Sequence, residues 1–170
     1  TLAKNILSNR DALDHISTGA ALGGAALTAG FAYAVKQYAD FDKAMSQVQA
    51  ATHETAGNMN KLREAAMKAG ADTKYSGSEA ANGIEELAKA GVETKDILGG
   101  GLSGALSLAA AGNIEVGEAA ELAATAMTQF GLKGSDIGHV ADLLAAGAGK
   151  AQGSVGDLGY ALKQSGLVAA

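Results

Sequence analysis

The chain has 170 residues, a formal charge of −5 and a mean hydropathy of +0.09. It holds 39 Ala and 24 Gly, few aromatics (4%) and no Pro, Trp or Cys, which excludes a disulfide framework and thiolate metal sites. A buried Leu or Phe contributes ~1.5–3 kcal/mol and an Ala far less, so stability has to come from close backbone approach, helix propensity or partner chains. Residues 1–74 carry 8 basic and 7 acidic side chains and residues 75–170 carry 5 and 11. The second part, at −6, is a poor surface for phosphate contact, and no specific nucleic-acid site is expected. The start at Thr1 and the open helical pattern near Ala170 predict a piece of a longer protein.

From Leu2 to about Thr52 nothing interrupts a helical pattern, and one long helix is expected over residues 1–53. Leu27, Phe31, Val35, Tyr38, Phe41, Met45 and Val48 recur in steps of three and four, which places them on one side of that helix. Residues 16–35, "ISTGAALGGAALTAGFAYAV", contain no charge. Gly19, Gly23, Ala26 and Gly30 within it form a bare seam that another helix could approach closely. The expected helix–helix interface comprises this seam with Leu27, Phe31, Val35, Tyr38, Met45 and Val48. Length alone would admit a membrane span over 16–35, but strongly apolar residues are few there.

A shorter helix is expected from about Asn58 to Ala69, ended by Gly70, with a connector to residue 74. Residues 75–170 then read as a compact helical region built from repeats. Ser76 and Glu79 in "YSGSEAANGIEELAKAG" form a capping box, and Gly91 sits where a left-handed residue would end the helix. The phrase returns as "IEVGEAAELAATAMTQFG" and in part as "GSVGDLGYALKQSG". Gly131, the Ser154/Asp157 pair and Gly166 take the corresponding start and stop positions. Gly91 and Gly131 each open a Gly-[Val/Leu]-x-x-x-Asp-Ile connector, followed by helices expected over residues 97–111 and 136–149. The run "LGGGLSG" should fray the first of these until about Gly101. The fold class is therefore all-α: a long N-terminal helix followed by an array of short capped helical hairpins.

No catalytic, cofactor-binding or metal site is expected. His15, His53 and His139 are far apart, and Glu115, Glu118 and Glu121 suit a helix start without a Glu-x-x-His partner. The glycine runs lack the Lys-Ser/Thr ending of a phosphate loop, and no Gly-x-Ser-x-Gly elbow is present.

The stretch from Phe41–Asp42–Lys43–Ala44–Met45 through Thr73–Lys74–Tyr75–Ser76 and Leu87–Ala88–Lys89–Ala90–Gly91 resembles the core of phage tail tape measure proteins. So do "LSLAAAGNIEVGEAAELAATAMTQFGL" and "VADLLAAGAGKAQGSVGDLGYALKQSG", in the same order. Gly99–Gly101 depart from the pattern, where relatives carry a less glycine-rich helix start. The resemblance implies a virion structural protein and not an enzyme, although domains outside this segment are hydrolytic in some relatives. Such proteins set tail length, scaffold the tail tube and leave with the genome, some aiding passage across the envelope. The partners it implies are other copies of the chain, as a homotrimer, tail-tube, distal tail and tip or baseplate hub proteins, and assembly chaperones, with membrane contact during ejection. The location it implies is the tail lumen and tip, the host cytoplasm during assembly and the host envelope during infection. The alternatives are a membrane-active or pore-forming helical protein using residues 16–35, and an ordinary helical binding domain.

Overall fold

The computed structural model describes residues 32–150 and 154–168, and every regular element among them is helical. The chain divides into two units, Thr1–Asp40 and Phe41–Ala170. In the first unit the described residues, 32–40, belong to a helix, α1, that continues to residue 52. They are exposed, and carry i,i+4 pairs from Lys36 to Asp40 and from Gln37 to Tyr33, both at 2.7 Å. Leu2 to Phe31 lie outside the described residues, and with them the expected seam at Gly19, Gly23, Ala26, Leu27, Gly30 and Phe31.

The second unit begins at Phe41, so the expected boundaries at 53/54 and 74/75 do not coincide with it. Periodicity runs unbroken along α1, but burial starts only at Phe41: Ala44, Met45 and Val48 enter the same core cluster as the later helices. The chain turns at His53, which has the left-handed φ of 52°. Helix α2, Ala56–Asp72, is longer than expected, and Gly70 lies inside it. A methyl built on Gly70 would lie 2.6 Å from the backbone nitrogen of Gly77. That glycine lets the start of the next helix touch α2; it does not stop α2.

The remaining elements are α3 (Gly77–Lys89), a single turn α4 (Thr94–Asp96), a wide turn over Ile97–Gly101, and α5 (Leu102–Gly112). They continue with α6 (Val116–Gln129), a 3-10 turn (Gly134–Asp136), α7 (Ile137–Lys150) and α8 (Val155–Val168). Gly166 is inside α8 and does not end it. A lone glycine costs a helix only about 1 kcal/mol relative to Ala, too little to force a stop.

Equivalent helices lie side by side and run the same way. Gly83 of α3 faces Val116 at the start of α6, and Glu86 lies one turn on, beside Gly117. Gly101, at the end of the wide turn before α5, meets Ile137 at the start of α7, while Gly104 of α5 meets Gly138 and Ala141 further along. Leu122 of α6 meets Gly159 of α8, and Gln129 donates to the Leu162 carbonyl at 2.6 Å. Thus α3, α6 and α8 form one layer, α5 and α7 the other, and each α3–α5 or α6–α7 hairpin stacks on the next. The caps Ser76, Glu115 and Ser154 repeat every 39 residues (115 − 76 = 154 − 115 = 39). Gly83, Gly104 and Gly138 sit at these crossings, where a larger side chain would hold the backbones apart.

Candidate interaction surfaces and helix caps

The helix ends carry the repeat in atomic detail. Ser76 Oγ accepts from the Glu79 N–H at 3.2 Å, and the Glu79 carboxylate accepts from the Ser76 N–H at 2.7 Å. Ser154 and Asp157 make the same pair of bonds, at 3.1 and 2.9 Å, at the start of α8. Those bonds from Ser154 hold the Asp157 carboxyl below the usual carboxylate range. At α6 the matching position is Glu115, which makes no side-chain cap. Both hairpins turn identically. The N–H of Gly91 reaches the Ala88 carbonyl and that of Val92 the Leu87 carbonyl, as Gly131 and Leu132 reach Thr128 and Met127. Gly91 and Gly131 have φ of 83° and 63°, the left-handed form that closes this motif.

Of the expected interface residues that are described, Met45 and Val48 are buried in the chain's own core, where they are withdrawn from any partner. The sequence pattern could not separate an internal face from an external one. Val35 and Tyr38 are 52% and 69% exposed, with Tyr33 likewise open nearby. Sequence reasoning missed the clamp where burial begins. The Arg63 guanidinium lies 5.4 Å from the centre of the Phe41 ring and 3.0 Å from the Asp42 carboxylate. The Phe41 ring packs over Gly77. Its only trace in the sequence is one arginine following an aromatic–acid pair by some twenty positions.

Two further surfaces are acidic or mixed. Glu85, Glu86, Glu115, Glu118 and Glu121 line an open groove along α3 and α6 with Gln47, Asn82, Gly117 and Lys89. Lys89 bridges Glu85 at 2.8 Å and Glu86 at 2.9 Å, and these hydrogen bonds, Glu85 first, raise its pKa. A cleft of about 610 Å³ lies between the α1–α2 corner and the first connector, with Glu54, Asn58, Lys61, Thr94 and Lys95 on its walls. Hydrogen bonds from Asn58, then Thr94, keep the Glu54 carboxyl below the usual carboxylate range. Among the described residues no three His, Asp or Glu side chains are grouped to hold a metal ion, and His53 and His139 are exposed. No single described helix is long and apolar enough to cross a membrane. The bent pair Thr94–Gly112 and Val116–Gln129 passes that test by length and composition, but its apolar residues form the protein core.

Residues 63–170 match a sequence family described as phage-related minor tail proteins. Over 135 residues, 79% of its length, the chain is 36% identical to a protein of Pneumococcus phage Dp-1 named as a tape measure protein. It spans only 12% of that relative. No solved structure matches.

Proposed function

The chain belongs to the phage-related minor tail protein family, as a tape measure protein of the phage tail, and from that premise we propose that it lies in the tail lumen and takes part in setting tail length. This is a structural role in the virion, without catalysis by this segment. The protein scaffolds the tail tube around itself, contacts tube, distal tail and tip or baseplate hub proteins, is kept soluble in the host cytoplasm by assembly chaperones, and leaves with the genome. Copies associate through the N-terminal helical segment as a homotrimer, with Val35 and Tyr38 on the associating side. The observation that carries this reading is the family match over residues 63–170. Its test is a set of in-frame deletions in helical regions of the intact gene outside residues 76–168, with tail length measured by electron microscopy. Tails should shorten in step with the residues removed, and constant length would end the ruler role.

Association through α1 is tested separately by mass measurement of the 170-residue chain and of its Tyr38→Glu variant. A trimer that the substitution breaks supports the assignment; a monomeric parent chain removes it. Passage of the envelope would draw on residues 16–35, which have no charge. A peptide of that stretch should become helical on liposomes, and a peptide that stays in water leaves envelope passage without support.

A further inference from the structure

We infer that the hairpin array of residues 76–168 is a folded, non-measuring module of the tape measure, and that the ruler itself lies elsewhere in the protein. The inference rests on the tape-measure reading and assigns a division of labour within it. A ruler made of continuous helix gains 1.5 Å for each residue, so one 39-residue period would span about 58 Å. Stacked hairpins advance by the distance between neighbouring helices, about 8–10 Å for the same 39 residues. The two arrangements differ roughly sixfold in length, and the residues of the array are chosen for the short one.

Three observations support the folded form. Glycine stands at the crossings of equivalent helices, Gly83 against Val116 and Gly104 against Ala141, with contacts that a single methyl would crowd. A continuous helix has no need of these glycines, and each would weaken it by about 1 kcal/mol. The left-handed residues Gly91, Asn113 and Gly131 break the chain at the corners after α3, α5 and α6, whereas a straight helix would have to convert all three. Finally Ile84, Leu87, Ile97, Leu108, Val116 and Ile137 are fully buried between helices, and opening the array would expose every one.

The test uses intact phage. One variant removes residues 79–117 from the full-length gene, a whole period that rejoins the cap Ser76 to Glu118. A second removes 39 residues from a helical region outside this segment. The inference expects the second tail to shorten by about 58 Å and the first by no more than about 10 Å. Equal shortening of both overturns the inference and leaves the ruler standing; no shortening in either ends the tape-measure reading itself. Because the first variant could abolish tail assembly, a Gly104→Cys, Ala141→Cys pair gives an independent readout. The segment has no other cysteine. A methyl on Gly104 would lie 3.0 Å from the Ala141 methyl, within a small relaxation of disulfide geometry. In a straight helix the two sites, 37 residues apart, would be about 56 Å distant. Oxidised tails of normal length whose cysteines are crosslinked support the folded module. Cysteines that remain free and reactive in assembled tails overturn it.

Discussion

The first and second hairpins are built from nearly the same phrase, yet their surroundings differ. In the first, Val92 is 4% exposed beside the α1–α2 corner; in the second, Leu132 at the same step is 43% exposed and Phe130 is 67% exposed. The first opens with a complete capping box at Ser76 and Glu79, whereas α6, which opens the second, has no side-chain cap at Glu115. The first enters its return helix through Ile97–Gly101, with Gly100 at φ 152°, while the second enters through one 3-10 turn. What the two share is the backbone turn and the buried isoleucine, Ile97 and Ile137. The repeated part is thus what makes a hairpin, and the varied part is set by what each hairpin rests against.

The sharpest way to break this equivalence is at a crossing both hairpins need. Gly104→Leu drives a side chain into Gly138 and Ala141, and should destabilise the 170-residue chain by about 1–3 kcal/mol or prevent folding. Gly147→Ala, in open space on α7, should stabilise by about 0.5–1 kcal/mol. Urea unfolding of both variants checks the pair, and equal effects would mean that α5 and α7 do not touch. The connectors come next. Val92→Ala should cost about 1.5 kcal/mol, since two buried methylene equivalents are lost, and Leu132→Ala well under 1 kcal/mol.

Caps give smaller and opposite effects. Ser76→Ala should lower stability by about 1 kcal/mol, and Glu115→Ser should raise it by about 0.5–1 kcal/mol, because Glu118 already stands at the reciprocal position. Thermal unfolding would show one shift down and one up; a loss from Glu115→Ser would count against the quasi-equivalence. The smallest effect is titration of Asp157. Its folded pKa is depressed by the bonds to Ser154, so the stability it brings is complete above the ordinary Asp value. That stability is lost as pH falls through the lowered one. Circular dichroism followed below the ordinary Asp value should show less of this loss in Asp157→Asn.

Much of this was legible in the residues. Capping boxes announce themselves because serine and an acid three places on have few other uses at a helix start, and Gly91 and Gly131 are marked by the Gly-[Val/Leu]-x-x-x-Asp-Ile connector each opens. The all-α class followed from 3.6-residue spacing without competing alternation. Three features were hidden. Gly70 and Gly166 look like stop signals, since a sequence does not say whether a glycine is needed for φ or, as Gly70 beside Gly77, for close approach. Met45 and Val48 look like an outward stripe, since periodicity gives a face but not its partner. The Phe41–Asp42–Arg63 clamp depends on α2 folding back over α1, a pairing that no local spacing encodes.

The crossings of small residues also bear on how the molecule comes apart. Where Gly104 rests on Gly138 and Ala141, contact is close but the apolar area removed from water is small. A stack of repeated hairpins behaves as a row of nearest-neighbour units, each held mainly by the hairpins beside it. Under tension such a row yields one hairpin at a time, in small steps of force.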